Sequence, residues 1–183
     1  MDNLKEKNLN LPNILAAFRI LLAPLMLWFI IDQQNSIFQG WDPSWFDYFA
    51  GLIFVIASVT DFFDGYIARS WNQMTKLGSI LDPLADKMLM LAGFIGLVAL
   101  NRASAFAVFL ILSREMFITG LRVVAASEGK QVSSTMAGKI KTVVQMIAIG
   151  FLLMNWPFGT EILWIATLLT IYSGYEYIRA YMR

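Results

Sequence analysis

The chain contains neither cysteine nor histidine. Without cysteine it can form no disulfide, no thiolate nucleophile and no cysteine-bound metal site. Without histidine it can have no Ser–His catalysis, no phosphohistidine intermediate and no imidazole metal ligand. Any chemistry must therefore use carboxylates, Lys, Arg, Tyr, Ser or Thr, and carboxylates without imidazole favour hard cations such as Mg²⁺ or Mn²⁺.

Charge is also scarce. Only 15% of the 183 residues are charged and 58% are hydrophobic, whereas soluble domains have about 25% charged and about 45–50% apolar residues. The net charge of +1 gives no basic field that would indicate nucleic-acid binding. The N-terminus does not resemble a cleaved signal, because Asp2 and Glu6 lie where a signal is basic. The composition predicts one transmembrane domain over 1–183, in which 1–10 is a juxtamembrane segment.

Apolar runs of spanning length account for most of the chain, since a membrane helix needs about 20 largely apolar residues. We predict an all-α integral membrane protein with six transmembrane helices, at 11–31, 46–68, 83–100, 104–126, 138–156 and 160–178. Most Lys and Arg residues fall near the two termini and in or beside the second and fourth links. The positive-inside rule therefore predicts that both termini lie in the cytoplasm.

Four aspartates stand out in the segment 61–86, which has the pattern D-x2-D-G-x2-A-R-x8-G-x3-D-x3-D. Asp61 and Asp64 are three residues apart near the end of predicted helix 2, and Asp82 and Asp86 are four apart at the start of helix 3. Residues at these spacings lie on one helix face. A short link folds helix 3 back beside helix 2, so we expect the two pairs to converge.

Intramembrane aspartate costs about 2.5–3.5 kcal/mol even on insertion scales, so four together need cations. Two divalent ions would neutralise them and could hold a diphosphate between them. Gly65 and Gly78 leave room for a ligand near the backbone, and Arg69 offers a planar fork for phosphate oxygens. Two simpler interpretations are surface charges at helix ends and, for Asp82 before Pro83, a helix cap.

This pattern resembles the signature of the CDP-alcohol phosphatidyltransferases, and every fixed position of that signature is present. The resemblance implies a six-helix fold with cytoplasmic termini, and a homodimer. It implies that Asp61, Asp64 and Asp82 bind two divalent cations, Mg²⁺ or Mn²⁺, and that Asp86 is both a metal ligand and the general base. It also implies a set of residues that bind CDP-diacylglycerol: Asn13, Gly65, Ala68, Arg69, Thr75 and Gly78.

A second informative region comprises SREMFITGLR at 113–122 and AGKIKTVVQ at 137–145. Arg114 falls near the middle of an apolar run, where a function is the default interpretation of an arginine. Together with Arg122 and Lys139 it could bind the phosphate of an acceptor, whereas Lys141 is expected to face elsewhere, toward lipid headgroups. The alternative is that Arg122 and the lysines only satisfy the positive-inside rule.

Both stretches, and the ADK at 85–87, resemble the phosphatidylglycerophosphate synthase branch, whose acceptor is sn-glycerol 3-phosphate. The resemblance implies transfer of a phosphatidyl group from CDP-diacylglycerol to that acceptor with release of CMP. It also implies a multi-pass protein of the bacterial cytoplasmic membrane with its active site facing the cytoplasm.

Two alternatives remain open at this point. Another CDP-alcohol transferase, with a cardiolipin-type or inositol phosphate acceptor, would carry the same aspartates. A cation transporter would also place acids within the membrane. However, all four acids lie on one side, and the sequence shows no repeated halves of the kind common in transporters.

Overall fold

A computed structural model describes residues 11–32, 42–70, 78–129 and 136–182, with the backbone alone at 11–12, 62–70 and 79–80. These residues contain six α-helices and no strand. The helices are α1 (Leu11–Ile31), α2 (Pro43–Ser70), α3 (Gly78–Ala99), α4 (Ala105–Ser127), α5 (Met136–Leu153) and α6 (Gly159–Tyr181). The predicted all-α class is therefore confirmed, and each predicted span overlaps one helix.

Three of these helices contain stretches that are long and apolar enough to cross a membrane: Asn13–Ile31, Pro43–Asp61 and Met136–Leu153. Large apolar side chains are exposed along the helices, for example Leu21, Met116 and Leu168. Such exposure suits a lipid environment, because in water it would leave an extensive apolar surface unburied. The chain is accordingly a multi-pass membrane protein.

Helix ends follow local sequence signals. Asp42 accepts hydrogen bonds from the backbone N and the Oγ of Ser44, at 2.9 and 2.7 Å, and Pro43 occupies the first position of α2. Ser104 precedes α4 in extended geometry, and its side chain accepts from Ala107 N. Both arrangements satisfy amide groups that have no partner within the helix.

The start of α3 differs from the prediction. The helix begins at Gly78, five residues before the predicted start at 83, and Pro83 lies inside it. One simpler interpretation was that Asp82 caps the helix, and this is wrong because the helix already begins at Gly78. Both Asp82 and Asp86 are helical, so their four-residue spacing does place them on one face.

The chain divides into two compact units, residues 1–99 and 100–183. In the first, α1 packs against both α2 and α3, which contact each other little. Gly96 allows α1 and α3 to approach closely, because a Cβ there would lie 2.7 Å from Cγ2 of Ile30. In the second unit, α6 packs against both α4 and α5. The prediction of a single domain over 1–183 stays a prediction.

Candidate active site

An arginine that the sequence analysis did not single out lies at the centre of the aspartate cluster. Arg19, on α1, is 0% exposed. Its Nη1 donates to Oδ1 of Asp86 at 2.6 Å and also to Oδ1 of Asp61, while its Nη2 lies 3.5 Å from Oδ1 of Asp82. One guanidinium group thus gathers carboxylates from two helices.

This arrangement changes how the aspartates converge. The sequence predicted that α3 folds back directly beside α2, but these two helices contact each other little. Instead, each packs on α1, and Arg19 reaches Asp61 on α2 and both Asp82 and Asp86 on α3. Three of the four aspartates expected to converge do so, and the physical reason is a shared partner helix.

The carboxylates remain accessible although the arginine is not. The side chains of Asp61, Asp82 and Asp86 are 43%, 40% and 48% exposed. One atom, Oδ1 of Asp82, is itself buried and accepts no hydrogen bond from the described residues. A buried oxygen with no hydrogen-bond donor is a natural ligand for a cation.

The donor set suits a hard divalent ion, since it consists of carboxylate oxygens alone. In the part of the chain that the structure describes, however, no three acidic side chains have the geometry of a formed metal site. Asp61, Asp82 and Asp86 instead form ion pairs with the guanidinium group of Arg19. The side chain of Asp64, the fourth predicted ligand, lies outside the described residues.

Only part of the predicted donor-binding set can be placed. Asn13 is 5% exposed near the start of α1, and Gly78 is buried as the first residue of α3. Gly65, Ala68 and Arg69 lie on the last two turns of α2, with side chains outside the described residues. Thr75 falls outside the described residues altogether, as does the 1–10 segment.

The second unit contains its own cluster of charges around Arg114. The Nη2 of Arg114 donates to Oγ of Ser173 at 2.9 Å, and its Nη1 lies 3.2 Å from Oε1 of Glu115. A Cβ at Gly174 would lie 3.2 Å from Cγ and Nε of Arg114, so this glycine makes room for the arginine. The Nε of Arg114 is buried and has no hydrogen-bond partner among the described residues.

One of the two lysines of α5, Lys141, differs from the prediction. Lys141, expected to face lipid headgroups, is 6% exposed and its Nζ contacts Oε1 of Glu115. Lys139, predicted to bind the acceptor phosphate, is exposed. The expectation for Lys141 was wrong because Glu115 on α4, whose side chain is 24% exposed, gives its ammonium group a counter-charge.

Arg122 completes the predicted basic set. It is exposed, and its guanidinium carbon lies 5.4 Å from the centre of the Tyr177 ring, within the range of a cation–π contact. The prediction that Arg114 and Arg122 lie on one side of α4 stays a prediction.

A sequence signal for the missed residues existed. Arg19 is the one charged residue in the 21 residues of α1, and Glu115 and Lys141 lie within apolar helices. The depth argument that singled out Arg114 applies equally to Arg19 and Glu115. What the sequence could not provide was the partner of each.

Comparison with known proteins gives a consistent result. Residues 9–172 match the family model described as CDP-alcohol phosphatidyltransferase. A Bacillus subtilis (strain 168) protein named CDP-diacylglycerol–glycerol-3-phosphate 3-phosphatidyltransferase is 41% identical, covering 92% of this chain and 93% of the relative. Relatives with the same name in Rickettsia felis and Shigella flexneri are 38% and 35% identical, each covering 93% of this chain and 94% of the relative. The chain belongs to the CDP-alcohol phosphatidyltransferase family.

Proposed function

We propose that the protein transfers the phosphatidyl group of CDP-diacylglycerol to sn-glycerol 3-phosphate, giving phosphatidylglycerophosphate and CMP. The observation that carries the proposal is the convergence of Asp61, Asp82 and Asp86 from two helices on one cationic group. The acceptor is supported by the names of relatives that match the chain over nearly its whole length.

Asp61, Asp64, Asp82 and Asp86 hold two divalent cations, Mg²⁺ or Mn²⁺, in this proposal. When bound, these ions neutralise negative charge on the diphosphate of the donor and make CMP a better leaving group. Their support is the all-carboxylate donor set, together with the buried Oδ1 of Asp82 that accepts no hydrogen bond from the described residues.

Asp86 also acts as the general base. The hydroxyl oxygen of the acceptor forms a bond to the phosphorus that carries diacylglycerol, and the bond from that phosphorus to the oxygen of CMP breaks. The hydroxyl proton passes to the carboxylate of Asp86, which is nearly half exposed and therefore accessible to an alcohol.

The donor is held by the residues of the family signature. Arg69 contacts phosphate oxygens, and Gly65, Ala68 and Gly78 keep the adjacent backbone accessible to the CDP group. Asn13 and Thr75 complete this set. The burial of Asn13 and Gly78 within the first unit is compatible with these roles.

The phosphate of the acceptor binds Arg114, Arg122 and Lys139. The strongest support is the Nε of Arg114, a buried donor that no described residue satisfies. A phosphate oxygen would supply its missing partner through a charge-assisted hydrogen bond.

The membrane arrangement is part of the same proposal. All six helices span the bilayer, both termini lie in the cytoplasm, and the active site opens to that side, where the soluble acceptor is present. The protein is a homodimer in the cytoplasmic membrane of a bacterium, with membrane lipid around its exposed apolar side chains.

The test is a panel of acceptor alcohols offered to the purified protein with CDP-diacylglycerol. We expect CMP release and a phospholipid product with sn-glycerol 3-phosphate only, and only when Mg²⁺ or Mn²⁺ is present. A product with inositol phosphate, serine or phosphatidylglycerol as acceptor would identify a different transferase. Cation flux without CMP release would favour a transporter.

The catalytic assignment has a separate test. Asp86→Asn should reduce turnover by at least about 100-fold, the lower range of general-base contributions, while donor binding is largely retained. Asp42→Asn serves as the control, because Asn also caps helices and Asp42 is exposed. Normal turnover by Asp86→Asn would show that another group takes the proton.

A further inference from the structure

Arg19 is both fully buried and in contact with several carboxylates. It is fully buried in α1, and its guanidinium group contacts three carboxylates on two other helices. Each of those carboxylates is a ligand in the proposed metal site. The inference below rests on the proposed function, because it concerns how that site behaves before its metal ions bind.

The charges of the cluster do not balance without a cation. Among the described side chains, Asp61, Asp82 and Asp86 carry three negative charges, and Arg19 supplies one positive charge. Like charges at such short range repel strongly when solvent screening is weak. A guanidinium group among them lowers this repulsion.

The same contacts place the guanidinium group in competition with metal ions. Nη1 of Arg19 donates to Oδ1 of Asp86 at 2.6 Å and to Oδ1 of Asp61, so it occupies lone pairs that a metal ion would use. A cation bound among these carboxylates must therefore displace those hydrogen bonds and tolerate the positive charge beside it.

We propose that Arg19 is an internal counter-cation, which gathers the aspartates in the metal-free protein and which divalent ions must displace in order to bind. Arg19 is a positioning residue in this scheme, since it acts through the aspartates. Its consequence is a metal affinity lower than the same aspartates would have without Arg19, to which the oxygens of the donor's diphosphate would then add.

The test is the affinity for Mn²⁺ alone, measured on the purified full-length protein by calorimetry or by electron paramagnetic resonance. Arg19→Met keeps the length of the side chain and removes its charge. We expect Mn²⁺ to bind at least about tenfold more tightly, because a neighbouring positive charge and a competing donor are gone. We also expect lower thermal stability without metal, and a larger rise in Tm when Mn²⁺ is added.

The direction of the change distinguishes this role from a merely structural one. If Arg19 only supported the fold, Arg19→Met would weaken Mn²⁺ binding or leave it unchanged, and either result would overturn the proposal. Lys87→Met is the control, because it removes an exposed positive charge one residue from Asp86, where solvent and salt screen the interaction. Its Mn²⁺ affinity should differ little from that of the unmodified protein.

Two further measurements keep the outcome interpretable. If Arg19→Met cannot be purified even in the presence of Mn²⁺, Arg19→Lys keeps the charge but loses the planar fork, and should bind Mn²⁺ more tightly by a smaller factor. Unchanged or weaker binding by Arg19→Lys would then overturn the proposal. If the unmodified protein binds no Mn²⁺, the proposed metal site fails, whereas unaltered affinity in the Arg19 variants refutes the counter-cation role alone.

Discussion

At the scale of single residues, each largely buried cation that the structure describes in the two clusters contacts an oppositely charged side chain. Arg19 is paired with aspartates, and Lys141 with Glu115. The sequence identified the aspartates and Arg114, because their spacing or depth is unusual. It did not identify Arg19 or the role of Lys141. A lone charge in an apolar helix indicates a free-energy cost of insertion, but the sequence does not show which helix supplies its partner.

Glu115 leads to a prediction at this scale. Its Oε1 is shared by Lys141 and Arg114, so Glu115→Gln removes a carboxylate charge that two largely buried cations contact. We expect a loss of less than about 3 kcal/mol in the free energy of unfolding, because the range of about 3–5 kcal/mol applies to fully buried ion pairs and Glu115 is 24% exposed. Thermal denaturation in detergent should show this as a clear fall in Tm.

The matched control is Glu161→Gln, which removes a carboxylate from an exposed position in the first turn of α6. Surface substitutions usually change stability by less than about 0.5 kcal/mol. Equal Tm values for the two variants would mean that the Glu115 carboxylate does not stabilise the second unit.

At the scale of helices, the sequence predicted well the all-α class and the number of helices that the structure describes, because each apolar run is long. The predicted first helix, 11–31, matches α1 at both ends. The least accurate end is the start of α3, where Pro83 was taken as a first-turn residue although the helix begins at Gly78. A proline favours the first turn without requiring it, so only the packing of α3 on α1 could fix that boundary.

Packing between helices gives the next prediction. Gly96→Ala introduces a Cβ that would lie 2.7 Å from Cγ2 of Ile30, a fully buried and β-branched side chain. Overpacking of this kind costs about 1–3 kcal/mol, so the Tm of the variant should fall. The double variant with Ile30→Ala should be less destabilised than the two separate effects added together, because the clash is absent.

Gly120→Ala is the control for this experiment, since nothing lies within 4 Å of a Cβ at that position. Alanine has the higher helix propensity, by about 1 kcal/mol, so this variant should be as stable as the unmodified protein or more stable. A stable Gly96→Ala variant would show that α1 and α3 can separate without cost.

At the scale of the whole molecule, the membrane topology is the part of the prediction that most needs an experiment. The absence of native cysteine makes single-cysteine labelling direct. With both termini in the cytoplasm, the start of α6 faces outward and the end of α4 faces inward. In intact cells, an impermeant maleimide should label Thr160→Cys and should label Glu128→Cys only after permeabilisation.

Both positions are exposed in the structure, so neither result would reflect burial of the thiol. Labelling of Glu128→Cys but not Thr160→Cys in intact cells would invert the proposed orientation, and with it the side to which the active site opens. The prediction of this orientation rests on the distribution of Lys and Arg, which needs no knowledge of tertiary contacts.

The position of Arg19 on the first helix has a consequence for biosynthesis. Translation delivers α1 before α2 and α3, so the guanidinium group enters the bilayer while its carboxylate partners have not yet been made. A chain interrupted before Asp61 would hold this arginine unpaired in lipid, at a cost of about 2.5–3.5 kcal/mol on insertion scales. When α2 and α3 are inserted later, their aspartates can form ion pairs with this arginine. Synthesis in this order therefore favours packing of the later helices on α1.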